Sequence, residues 1–123
     1  MAMYDSLGSL MRQTLKAYKE CDPQLLLQHL LAGDAGTWLL QKCQAAQRDL
    51  YSTTAVEAQR ANLWSELKYE TLFPNYTKMA DGETIRQLNF HLRTQESLVD
   101  SALRAANLGD DWNPENETPY SQE

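Results

Sequence analysis

Apolar residues recur at spacings of three and four along most of the chain, which is the period of an amphipathic helix. In the first segment these positions are Leu7, Leu10, Met11, Leu15 and Tyr18. They predict a helix over about residues 4–20. Asp22 is a favourable N-cap and Pro23 suits the first helical position, so the chain restarts there. The next helix is predicted over 23–32, and it ends at Gly33.

A third helix is predicted from Asp34. Its apolar face is formed by Trp38, Leu39, Cys43, Ala46 and Leu50. Two alternatives follow. Thr54 and Glu57 fit a capping box that would start a new helix. Equally, the chain could stay helical over 35–72, because no Gly or Pro interrupts it.

The middle helical stretch is predicted to end at Phe73-Pro74, because the residue before a proline is pushed out of the helical region. Its apolar positions are Val56, Leu63, Trp64 and Leu67. Residues 74–80 are then predicted to form a loop. Asp81 opens the last helix, with Gly82, Glu83 and Thr84 in its first turn.

The last helix carries the sharpest pattern, a heptad seam that is typical of packed helices. Its positions are Ile85, Leu88, Leu92, Gln95, Val99, Ala102 and Ala106. The seam predicts one helix of about 25 residues, roughly 38 Å long at 1.5 Å per residue. Asn107 and Gly109 offer a left-handed stop. The predicted fold is therefore all-α, a four- or five-helix bundle with a long C-terminal helix.

The last 16 residues, 108–123, differ in kind from the helical domain predicted over 1–107. They hold five acids, two prolines and no Lys or Arg, so they form an extended acidic tail that cannot build a core of its own. Trp112 stands between acidic residues and resembles the aromatic anchor of a short binding segment. Two alternatives stay open: the tail caps its own helical domain, or it docks on another chain.

The net charge of −6 comes almost entirely from this tail, because residues 1–107 contain 12 acids and 11 bases. A basic footprint for nucleic acid is therefore absent overall, and the charge disfavours a nucleic-acid partner. Arg86, Arg93 and Arg104 could form a local basic stripe, but acids at helical spacing favour a solvated helix face.

The chain contains residue types that occur in catalytic and metal sites, but they are not at the spacing that such sites need. Cys21, His29, Cys43 and His91 have the composition of a zinc site, but no two of them lie two to five residues apart. We expect Cys43 to be a small buried apolar residue, and His29 to be a hydrogen-bonded, partly buried histidine. No catalytic, metal or cofactor site is predicted, and both cysteines are expected to be free thiols.

No run of about 18 apolar residues and no signal-peptide pattern occurs, so we expect a cytoplasmic protein without membrane insertion, or for a viral protein a place in the host cytoplasm or virion. The leading hypothesis is a non-enzymatic assembly or protein-interaction subunit of a larger complex, such as a virion or other particle. The alternative is a small acidic protein that binds and inhibits a target, such as a phage-encoded antagonist of a host enzyme. Protein partners or self-association are expected, through Gln95, Asp110, Asp111, Trp112 and Tyr120.

Overall fold

The computed structural model describes residues 6–53, 63–95 and 98–107, and all regular secondary structure in those ranges is helical. The α-helices are α1 (Leu7–Cys21), α2 (Pro23–Ala32), α3 (Ala35–Thr53), α4 (Gly82–Thr94) and α5 (Leu98–Ala105). Residues 63–67 are also α-helical and lead into a π-helix, Lys68–Leu72. The all-α prediction is confirmed for these residues.

Capping residues set the helix boundaries at the N-terminal end. Ser6 accepts the backbone N–H of Ser9 at 3.1 Å, so α1 begins a few residues later than predicted. Asp22 accepts the backbone N–H of Leu25 at 3.3 Å and caps α2, as predicted. Gly33 has a φ of 82°, a left-handed conformation that is easiest for glycine and ends α2.

The loop between the π-helix and α4 also begins and ends where the sequence predicts. Phe73 is extended, with ψ of 149°, and its N–H donates to the Lys68 carbonyl at 2.7 Å. Asp81 accepts the backbone N–H of Thr84 at 2.7 Å and caps α4. The predicted capping box at Thr54 and Glu57 lies outside the described residues.

Two adjoining hydrophobic clusters form the core. The first joins α1, α3, the π-helix and α5 through residues that include Leu10, Met11, Leu39, Cys43, Leu72 and Leu103. The second joins α1, α2, α3 and α4 through Tyr18, Leu26, Leu27, Leu30, Ala35 and Leu88. Leu15, Trp38 and Leu98 pack against both clusters, so the core is continuous along α1.

The C-terminal helix differs from its prediction, because the chain leaves the helix at Gln95. That residue has φ of −123° and ψ of 42°, and its N–H donates to the carbonyls of His91 and Leu92. A second helix, α5, then begins at Leu98. The long C-terminal helix is therefore two helices in this structure.

The break also changes which seam positions are buried. Leu88 and Val99 are buried as predicted, but Ile85 is 37 % exposed and Ala106 is exposed. Leu103, which is outside the seam, is buried instead. A heptad seam needs one uninterrupted helix, whereas here α4 packs on α2, and α5 packs on α1 and α3.

The predicted helix count and the 1–107 domain boundary stay predictions, because residues 54–62 and 108–123 lie outside the described ranges. The end of α5 is described. Asn107 has a φ of 59° and its N–H donates to the Arg104 carbonyl at 3.0 Å. The left-handed stop predicted at Asn107 is thus confirmed.

Candidate functional site

Of the five predicted partner-binding residues, the structure describes one. Gln95 is half-buried at the C-terminal end of α4. Asp110, Asp111, Trp112 and Tyr120 lie outside the described residues. The surroundings of Gln95 therefore define the candidate site.

Gln95 lines an open groove of about 450 Å³ between α1 and α4, here called the α1–α4 groove. Three cationic side chains of α1 line it, those of Arg12, Lys16 and Lys19. Glu20 is the one acid in this lining, so the groove carries a positive balance within a protein whose net charge is −6.

Helical spacing brings these side chains together. Arg12, Lys16 and Lys19 are separated by four and then three residues, which places them on one face of α1. All three are exposed, while Leu10 and Met11 point from α1 into the core. The same helix that builds the core thus presents a cationic stripe to solvent.

The groove also has an apolar floor, formed by Leu15 of α1 and Leu92 of α4. Both leucines are half-buried and pack against the second core cluster. Their remaining exposed surface lies beside Gln95, whose amide can donate and accept hydrogen bonds. An anionic segment with an apolar or aromatic side chain would find both kinds of contact here.

An ion pair lies at one end of the groove. Arg12 Nη2 lies 2.7 Å from Asp100 Oδ1, which ties α1 to the first turn of α5. Both side chains remain about half exposed, so the pair is screened by solvent and contributes little to stability. The pair lies where α5 meets α1, beside the groove.

A second polar cluster surrounds Asp22, which is 2 % exposed. Its carboxylate accepts a hydrogen bond from the Tyr76 hydroxyl at 3.1 Å and lies 3.6 Å from Lys78 Nζ. The Lys78 N–H also donates to the Cys21 carbonyl at 2.8 Å. The hydrogen bond to Asp22 raises the pKa of Tyr76, because a phenolate beside a carboxylate is disfavoured. This cluster anchors the loop and keeps the phenol protonated.

A third cluster joins α2 to the start of α3. His29 Nδ1 lies 2.8 Å from Asp34 Oδ1, and the imidazole stacks on the Trp38 ring at 4.1 Å between centroids. The predicted hydrogen-bonded, partly buried His29 is confirmed. Trp38 is only half-buried, and it also packs edge-to-face on Tyr18 at 4.9 Å. These contacts close the turn between two helices.

The thiols are free, as predicted. Cys43 is fully buried, and burial raises its pKa to about 12, which outweighs the lowering effect of the hydrogen bond between Cys43 and Thr14. A thiol with that pKa is protonated at neutral pH and is a poor nucleophile. Across residues 6–53, 63–95 and 98–107, no three or more His, Cys, Asp or Glu side chains are grouped to hold a metal ion.

Comparisons with protein-family models, with curated proteins and with solved structures find no match to this chain. Within the described part of the chain, no helix is both long and apolar enough to cross a membrane. The functional inference therefore rests on the geometry of the α1–α4 groove.

Gln95 is the one groove residue that was predicted to bind a partner, and the other residues of the groove were not predicted to do so. One signal was available: Arg12, Lys16 and Lys19 recur at helical spacing beside Leu15. That spacing predicts a cationic face on α1. It does not show that α4 packs close enough to turn this face into a groove.

Proposed function

We propose that this protein is a non-enzymatic protein-interaction subunit of a larger assembly. The observation that carries the proposal is the α1–α4 groove, in which exposed cations flank half-buried leucines. The assembly would be a virion or another multi-subunit particle, with the cytoplasm, or a host cytoplasm, as the compartment. The partner is a protein rather than a nucleic acid, because the net charge is −6.

The groove has the properties of a peptide-binding surface. Its volume of about 450 Å³ falls within the range of roughly 300–1,000 Å³ that is typical of ligand sites. Leu15 and Leu92 supply apolar area that a partner can cover, and area removed from water stabilises a complex. Lys16 and Lys19 supply charge that attracts an acidic partner and speeds association.

The acidic tail is the second proposed contact element. Asp110 and Asp111 precede Trp112 directly, and Tyr120 follows within the same segment. Tryptophan and tyrosine are enriched among residues that dominate binding energy, because a large aromatic side chain can fill a partner's pocket. Together with Gln95 in the groove, these residues are the proposed partner-binding set.

The proposal is tested by size-exclusion chromatography with light scattering on two charge-reversed variants. One is Lys16→Glu/Lys19→Glu, inside the groove. Its matched control is Arg93→Glu/Arg104→Glu, which makes the same change at two exposed arginines outside the groove lining. We expect wild type to exceed 14.1 kDa on its own in solution. The groove variant should lose this association, and the control should keep it.

Equal behaviour of the two variants would refute the groove as the contact surface, provided that circular dichroism shows both to be helical. A protein that stays at 14.1 kDa alone, and changes mass only when a target protein is added, would favour the alternative function. That alternative is a small acidic antagonist that inhibits a target, such as a phage-encoded inhibitor. The same pair of variants then tests whether the inhibitor uses the groove.

A further inference from the structure

We infer that the α1–α4 groove binds the acidic C-terminal segment, residues 108–123, of a second copy of this chain. The inference rests on the proposed function and names the partner of the same surface. Its starting observation is that the cations of the groove and the acids of the segment belong to one sequence. Every copy therefore carries both halves of a complementary contact.

The charges of the groove and of the segment are opposite in sign. Lys16 and Lys19 lie one helical turn apart, which separates their Cβ atoms by roughly 5–6 Å. Asp110 and Asp111 are adjacent, with Cα atoms about 3.8 Å apart. Because lysine side chains are long and flexible, both ammonium groups can reach toward neighbouring carboxylates. The segment contains five acids and no Lys or Arg, so no base in it opposes this attraction.

The apolar parts match as well. Trp112 directly follows the two aspartates. In the groove, the exposed surface of Leu15 and Leu92 lies next to the cationic stripe. An indole placed on these leucines would leave the carboxylates of the preceding residues at the lysines. Gln95 stands at the same floor and can bond the backbone of an incoming segment.

Chain geometry favours a second copy over the tail of the same copy. Helix α5 begins three residues after Gln95 and is about 10 Å long over Leu98–Ala105. Its Asp100 pairs with Arg12, and its Leu103 lies in the core cluster that holds Leu7 and Leu10, so α5 leads toward the N-terminal half of α1 and not toward Lys16 and Lys19. From Asn107, the chain to Trp112 spans at most about 17 Å when fully extended. To reach its own groove the tail would have to run back along α5, which uses about 10 Å of the roughly 17 Å reach. The tail of a second copy is not subject to this constraint.

The test uses the full chain and two variants of opposite kind, followed by light scattering over a concentration series. The groove variant is Lys16→Glu/Lys19→Glu, and the tail variant is Asp110→Lys/Asp111→Lys. Each should weaken self-association by about tenfold or more, because like charges then face each other. An equimolar mixture should associate again. The intact groove of the tail variant can bind the intact tail of the groove variant, and the altered groove and the altered tail have opposite charges. A chain that carries all four changes should self-associate like wild type.

The controls make each result decisive. Arg93→Glu/Arg104→Glu should associate as wild type does. In 0.5 M salt association should weaken, because the screening length of exposed charges falls below the value of about 8 Å at physiological salt. If the tail variant associates normally while the groove variant does not, the groove takes another segment, and the inference fails while the proposed function survives. If the mixture does not recover, or if wild type is 14.1 kDa at every concentration, the segment does not bridge two copies, and the inference is overturned.

Discussion

Leu88 is the residue that should most firmly attach α4 to the rest of the protein. It is 1 % exposed and is the fully buried side chain of α4, where it packs in the second core cluster with α2. Leu92, one turn later, is only half-buried and borders the groove. Replacing each leucine by alanine therefore measures how α4 is oriented on the core.

The magnitude for Leu88→Ala follows from its burial. Three carbons beyond Cβ are removed, and each buried carbon group contributes about 0.8 kcal/mol, so the transfer free energy lost is about 2.4 kcal/mol. The cavity that remains adds to this, and measured Leu→Ala costs in cores run at about 2–5 kcal/mol. We expect about 3–4 kcal/mol for Leu88→Ala. Leu92→Ala should cost under about 2 kcal/mol, because part of that side chain is already in water.

The assay is urea unfolding followed by far-ultraviolet circular dichroism. With a slope near 2 kcal/mol per M, which is typical for small proteins, Leu88→Ala should lower the midpoint by about 1.5–2 M. Arg93→Ala, an exposed neighbour on the same helix, should move it little. If Leu92→Ala costs as much as Leu88→Ala, the orientation of α4 described above is wrong, and the uninterrupted seam is the better account.

Three further outcomes follow from the core. Gly36→Ala would place a Cβ 3.0 Å from the Ala102 Cβ, so it should destabilise the α3–α5 contact by about 1–3 kcal/mol; Ala102→Gly should rescue it in a thermal double-mutant cycle. Cys43 has a folded pKa of about 12 against 9.0 when unconstrained. Its protonated thiol therefore contributes fully to the free energy of unfolding below pH 9, and this contribution is lost as the pH rises toward 12. Cys43→Ala should lessen the fall in the urea midpoint between pH 8 and pH 10. Iodoacetamide at pH 8 should modify the half-buried Cys21 first, and mass spectrometry should find Cys43 modified only after unfolding.

Local chemistry made most helix ends predictable from the sequence. Asp22, Asp81 and Gly33 act through their own side chain or backbone, so their effect needs no knowledge of the tertiary structure. Gln95 has no such signature, and no Gly or Pro marks the break there. The helix ends at Gln95, between two helices that pack on different neighbours. Leu88 of α4 packs with α2, whereas Leu103 of α5 packs in the cluster formed by α1 and α3.

The candidate site was less predictable than the helices, for a related reason. The cationic face of α1 can be derived from spacing alone, since Lys16 and Lys19 share a helix face with Arg12. A groove also needs a second wall, and Leu92 and Gln95 lie more than 70 residues further along the chain. Contacts at such sequence separation depend on the whole packing arrangement, which periodicity does not contain.

The contacts between Asp22 and the loop determine where this chain can accept inserted residues. Tyr76 and Lys78 bind the first part of the loop to the α1–α2 junction, so extra residues before Lys78 would pull these two residues away from the buried Asp22. Met79, directly after that anchor and before the Asp81 cap, is 94 % exposed. Added residues at Met79 would extend into solvent from two fixed ends, at a closure cost that grows slowly with length. We therefore expect an epitope or a domain inserted at Met79 to leave the protein folded.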